Sequence, residues 1–323
     1  MIMNKLFIRN VFLTVILILL LVLIFLIRGR SPFGKRQSSF AVMPDREITR
    51  IELSRNRETV ALELDKNGWI VNGELEARKS SIMFLVRILK EMKIKSPVSP
   101  ELFDNEIISK EVQPVRVRVY ENKRLLRSFY VYITGSNSYG NIMRRNQRTK
   151  PFIVHVPGYE DNIGSAFNPS QLYWLPYTVF NVLPSEISSV TLENLTDPAS
   201  SFIISGTVSK YQLSDLKNTL SGWDSSRVKR YISYFTMVPF ESWAPEMSES
   251  EKKRLGSESP VFRIKVIRSD GSEIKLDLWE RYVNGKRDED RLWGKTGDRE
   301  EYFVIRYFDI DPLLKKIDYF FPE

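Results

Sequence analysis

The chain has 323 residues, 42% hydrophobic and 27% charged, the balance of a folded globular protein and not of a disordered one. Its net charge of +8 sits largely at one end: residues 1–36 carry six of the 48 lysines and arginines and no acid, leaving 42 basic against 40 acidic side chains elsewhere. That distribution argues against nucleic acid as a partner, and the absence of cysteine excludes disulfides, thiolate metal sites, thiol catalysis and lipidation on cysteine.

The first element is the uncharged run Val11–Ile27, VFLTVILILLLVLIFLI. Extended back to Leu6 it spans about 33 Å as a helix, enough for a hydrocarbon core of about 30 Å. Its length, and the Arg28-Gly29-Arg30 that follows in place of a small-residue cleavage site, favour a retained transmembrane anchor over a cleaved signal peptide. Residues 1–30 are therefore expected to be an anchor with basic flanks, and residues 31–46, rich in Ser, Pro and Gly, a linker without core residues.

A first folded unit is expected over residues 47–170. Ile48, Ile51 and Leu53 open a strand, Val60, Leu62 and Leu64 alternate in a second, and Trp69–Val71 form a third after the Asn67-Gly68 turn. Ala77–Ile94 is predicted helical, with Ile82, Leu85, Leu89 and Met92 on one face. After Pro114, Val115, Val117 and Val119 alternate with arginines, and the chain returns through Phe129, Val131 and Ile133. Ile153–Val156 is a further strand.

Residues 171–185 form an aromatic connector. Beyond it, over residues 186–323, the order of elements begins again: a strand from Ile187 through Val190 and Leu192, strands at Phe202–Ser205 and Tyr211–Leu213, and a helix from an Asp224 cap to about Val238. A polar stretch, Glu246–Ser259, leads to Pro260. A hairpin of Phe262, Ile264 and Val266 against Ile274, Leu276 and Leu278 turns at Asp270-Gly271. A strand at Tyr302–Tyr307 and a short helix at Ile310–Ile317 close the chain. The expected fold class is α+β: one transmembrane helix, then a duplicated unit of antiparallel sheet with one main helix per unit.

Chemistry is sparse. His155 is the only histidine and lies within a predicted strand, which is poor material for a triad or a histidine metal site. Acidic groups at Asp104/Glu106, Asp288/Glu289/Asp290 and Asp309/Asp311 could serve glycoside hydrolysis only at the right spatial separation. Asp288–Asp290 reads as a solvated charged loop, and Asp309 and Asp311 as the start of the last helix. Neither a phosphate-binding glycine loop nor a nucleophile elbow is present, so no catalytic, cofactor-binding or metal residue is assigned. The connector supplies the partner-binding candidates Tyr173, Trp174, Tyr177 and Phe180, the alternative being that they pack internally.

Ile48-Thr49-Arg50-Ile51-Glu52-Leu53, Trp69 ahead of an alanine-led helix, the long hairpins, Leu255-Gly256 before Pro260, and Tyr173–Phe180 between the halves together resemble the bacterial domain of unknown function family 4340. In the first half Val112-Gln113-Pro114 lacks the glycine of that pattern. The resemblance covers about residues 45–320 and implies one membrane anchor, a duplicated α+β unit and genes often near gliding-motility-type ABC transporters. It transfers no catalytic residue. The expectation is a non-enzymatic interaction or scaffold protein, single-pass in the bacterial inner membrane, with a periplasmic domain and an envelope or transporter protein as partner. An envelope glycan hydrolase and a non-catalytic polymer-binding domain remain the alternatives. Flanking charge alone leans towards a cytoplasmic domain.

Overall fold

A computed structural model of the chain describes residues 13–20, 22, 39–134, 140–159, 162–207 and 210–322. Residues 13–20 of the apolar run are helical with exposed side chains. Apart from Val22, the rest of the expected anchor, its basic flanks and the linker up to residue 38 lie outside the described residues. No helix of the described residues is long and apolar enough to cross a membrane. The chain divides into two compact units between Pro176 and Tyr177, inside the expected connector.

The first unit is one antiparallel sheet of β1 (Arg50–Arg55), β2 (Glu58–Leu64), β3 (Trp69–Val71), β4 (Leu75–Glu76), β5 (Lys93–Pro97), β6 (Val115–Glu121), β7 (Arg124–Tyr132), β8 (Asn141–Arg144) and β9 (Phe152–His155). Helix α1 (Lys79–Glu91) lies between β4 and β5 in the chain. The spatial order is β4-β3-β2-β1-β6-β7-β8-β9-β5, so α1 carries the chain from one edge of the sheet to the other. Period-two alternation puts Ile51, Leu53, Val60, Leu62, Val117 and Val119 on one buried face. Ile51 stands opposite Leu62 and Val119, and Leu53 opposite Val60 and Val117, two rungs across three strands. Helix α1 buries Ile82, Leu85, Ile88 and Leu89, each worth about 1.5–3 kcal/mol. On the opposite face, Phe103 and Ile107, from a helical turn that continues as a π-helix, cluster with Tyr132 and Ile142.

The second unit repeats this plan. Its strands are β10 (Thr178–Phe180), β11 (Ile187–Asn194), β12 (Phe202–Thr207), β13 (Lys210–Ser214), β14 (Val238–Pro239), β15 (Ser242–Trp243), β16 (Phe262–Arg268), β17 (Glu273–Val283), β18 (Lys286–Thr296) and β19 (Phe303–Arg306). Its longer helices are α2 (Ser225–Ser233) and α3 (Glu249–Ser257). Eight strands run β13-β12-β11-β16-β17-β18-β19-β15, the order of the first sheet without β4; β10 and β14 pair separately. The rungs recur too: Val190 faces Ile204 and Val266, and Leu192 faces Phe202 and Ile264. Asp224 caps α2 by accepting from the Ser226 amide, as its residue type predicts. Val228, Tyr231 and Ile232 are the buried side of α2.

Several expectations need correction. The linker does carry core residues: Phe40 and Val42 are buried, Phe40 sits edge-on to Phe129 at 5.8 Å, and the Val42 amide donates to Leu89 O at 2.7 Å. Helix α1 stops at Glu91, because the chain that follows pairs with β9 as β5. Asp288–Asp290 is not a loop but part of β18, whose outer half carries charge on both faces and so shows no apolar alternation. The polar stretch before Pro260 contains α3, capped by Ser248 and laced by Lys252–Glu249, Arg254–Glu251 and Arg254–Glu258 pairs. Only Leu255 of α3 is buried, too little for a periodic signal. The closing helix begins earlier, at Tyr307, and breaks into 3-10 turns after Ile310.

Candidate functional site

The connector aromatics have unequal fates. Trp174 is fully buried and donates from Nε1 to Asn168 O at 2.8 Å. Phe180 is fully buried against Phe235, with ring centroids 5.1 Å apart. Neither ring can serve as a surface anchor. Tyr173 and Tyr177 are partly exposed: the Arg78 guanidinium lies 5.2 Å from the Tyr173 ring, and Tyr177 stacks on Phe240 at 5.4 Å. The two candidates that remain are thus on different units.

Four of the acidic groups are likewise drawn into separate pairs with cations. Glu106 pairs with Lys110, Asp309 with Arg306 and Asp311 with Lys315. Asp288 bonds Arg281 across the β17–β18 hairpin. Burial works to raise the Asp288 pKa, but the Asp290 amide and the Arg281 guanidinium outweigh it and hold the carboxyl below its ordinary range. His155 sits half-buried on β9 opposite Lys93 of the edge strand β5. Among the described residues no group of three His, Cys, Asp or Glu could hold a metal ion.

What the structure does assemble is a cleft of about 700 Å³ in the second unit. Its walls are the end of α3 with Glu258–Pro260, the outward side chains of β16–β18, and the turn Gly297–Glu300. Alternation along β16 and β17 that buries Ile264 and Leu276 turns Arg263, Lys275 and Asp277 to this side. Asp277 accepts from Arg263 Nε at 2.6 Å and lies 3.0 Å from Lys275 Nζ. The bond to Asp277 raises the Arg263 pKa further, against the effect of burial. Trp279 and Tyr302 are buried at the base, with Trp279 Nε1 donating to Glu258 O at 3.0 Å and Lys295 Nζ 5.1 Å from the Tyr302 ring. Arg299 lies 5.2 Å from the Trp243 ring and 3.6 Å from Asp298.

A second hollow of about 490 Å³ also touches Trp279 and Glu258 and is bordered by Glu251, Arg254, Glu280 and Tyr282. Arg254 holds Glu251 at 2.7 Å and Glu258 at 2.6 Å, and Trp293 Nε1 donates to Glu251 at 3.0 Å. The Arg254 bonds hold Glu251 below the ordinary carboxylate range, although burial opposes them. A general acid of a glycosidase needs the opposite displacement. The cleft instead offers fixed donors, acceptors and aromatic edges at several points, an arrangement suited to holding a polar ligand or a polar protein segment.

Of the cleft residues the sequence marks Leu255, Gly256 and Pro260 only as a motif of the resemblance, and Arg263/Lys265 and Lys275/Asp277 only as charges alternating with the core positions. Their convergence with Trp279, Lys295 and Arg299 depends on strand register, which the alternation alone does not give. Comparison with protein-family models, with curated proteins and with solved structures finds no match.

Proposed function

We propose that the chain is a membrane-tethered, non-enzymatic interaction protein of the bacterial envelope, built by duplication of one α+β unit and accessory to an ABC-type transporter. The tether rests on the apolar run Val11–Ile27, and the duplication on the shared strand order and rungs of the two sheets. The observation that carries binding over catalysis is the cleft of the second unit, whose Asp277 and Glu258 are both engaged by arginine. The expected partner is another membrane-anchored envelope protein with a polar segment that enters this cleft, and the expected side is periplasmic.

The test is co-purification from gently solubilised membranes. Lys295→Glu combined with Arg299→Glu reverses two cleft charges not held in the Asp277 cluster and should lower recovery of the partner about tenfold or more. The melting temperature of the full chain should fall by no more than a few degrees, the loss of the two cation–ring contacts. Undiminished recovery refutes the cleft as the binding face. A C-terminal alkaline phosphatase fusion should be active, and a silent one places the body on the other side.

A further inference from the structure

The chain arrives at the first unit from its apolar run through residues 39–42, and two arginines meet it there. Arg127 Nε donates to Ala41 O at 3.1 Å and Arg145 Nη1 to Ser39 O at 3.4 Å. Those carbonyls are two residues apart, at most about 7 Å, and the two guanidinium groups are near enough for the charge on Arg127 to act on Arg145. The β7–β8 register explains why: Tyr130 stands opposite Arg144, and continuing it places Arg145 beside Phe129, two residues from Arg127 and on the same face.

Both arginines are half-buried, and neither is ion-paired with a carboxylate among the described residues. The nearby acids are already engaged: Asp45 and Glu121 both hold Arg124, at 2.7 Å each. The chain leading in offers none, since the first acid in the sequence is Asp45. Burial, and secondarily the charge on Arg127, hold the Arg145 pKa below its ordinary value. Two partly desolvated like charges whose side-chain bonds among the described residues go only to carbonyls keep further N–H donors that an anion could take. A phosphate, with several oxygens around one centre, can accept from two planar, fork-shaped donors at once.

The source of the phosphate follows from position. Eleven residues lie between Ile27, the last of the apolar run, and Ser39, twelve Cα steps and a reach of at most about 42 Å. That segment adds Arg28, Arg30, Lys35 and Arg36, which favour an anionic bilayer surface. We propose that Arg127 and Arg145 hold the phosphate of an anionic phospholipid headgroup and so fix the first unit against the membrane surface. This rests on the membrane-tethered reading given above.

The full chain would be reconstituted into phosphatidylcholine nanodiscs with and without one-third phosphatidylglycerol, and its unfolding followed by tryptophan fluorescence. Phosphatidylglycerol should raise the melting temperature by a few degrees. Arg127→Gln and Arg145→Gln should each remove at least half of that lipid-dependent rise, while Arg148→Gln, at an exposed neighbouring cation, should keep it. If the glutamine variants do not fold, Arg127→Lys with Arg145→Lys, which keeps charge but loses the fork, should halve the rise. A rise undiminished in every folded variant, or equally reduced by Arg148→Gln, overturns the site. Inorganic phosphate giving the same rise in phosphatidylcholine discs overturns the lipid assignment in favour of a free phosphate. A chain that does not float with the discs overturns the tether and this proposal together, whereas one that floats without a lipid-dependent rise overturns this proposal alone.

Discussion

Tyr231 shows how a polar atom is accommodated in this core. It is fully buried on α2, with Phe202 at 5.3 Å and Phe320 at 5.4 Å, and its hydroxyl donates to Leu313 O at 2.9 Å. Burial pushes its pKa far above the ordinary tyrosine value. The unfolded chain releases this proton from about pH 10, whereas the folded chain holds it. Stability from the buried phenol is therefore complete below about pH 10 and falls as pH rises beyond it, by up to about 1.4 kcal/mol per pH unit. Tyr231→Phe leaves the Leu313 carbonyl without this donor and should cost about 1 kcal/mol at neutral pH. Urea titrations at pH 8 and pH 11 check both statements: the variant should start less stable and lose less between the two. An equal loss in variant and parent would remove the titration argument. The hydroxyl of Tyr231 hides its place in the core from a strictly apolar helical pattern, although its aromatic body belongs there.

Elements were legible in the sequence where burial is one-sided. The rungs Ile51/Leu53 and Val190/Leu192, the hairpin of Phe262–Val266 with Ile274–Leu278, and the faces of α1 and α2 all show the period of their secondary structure. Elements whose stability comes from charge pairs or from pairing at an edge left no such trace. Strand β18 was missed although Asn284-Gly285, both at positive φ (52° and 75°), is a strong hairpin-turn signal between Val283 and Lys286. Helix α3 was missed because its three-and-four spacings are filled by Glu, Lys and Arg. Its Gly256 belongs to the Leu255-Gly256 motif of the resemblance, yet it lies within the helix, carries no positive φ, and has open space where a Cβ would stand. Gly256→Ala should accordingly stabilise the chain by about 0.5–1 kcal/mol. A denaturant midpoint that falls in this variant would mean that α3 adopts another conformation at that turn.

At the scale of the molecule, the sequence read two similar halves from element order, and the boundary between Pro176 and Tyr177 lies within the aromatic stretch it marked. The candidate site stayed hidden, since its residues come from three strands, a helix end and a turn that only the register brings together. Each unit contains every strand of its own main sheet, and β10 finds β14 within the second unit. The aromatic cluster Phe180, Phe202, Tyr231, Phe235 and Phe320 likewise belongs wholly to residues 177–323. A segment that closes its own sheet and core satisfies the physical conditions for folding alone. Residues 177–323 expressed by themselves should therefore unfold cooperatively in urea, with a slope of about 1–3 kcal/mol per molar, and should keep their near-ultraviolet circular dichroism. Because the cleft of Arg263, Asp277, Lys295 and Arg299 is complete in this fragment, it should also capture the partner proposed for the full chain. A fragment that binds hydrophobic dye and lacks a cooperative transition would show that the second core is not self-sufficient. A fragment that folds but captures nothing would move the binding face away from the cleft.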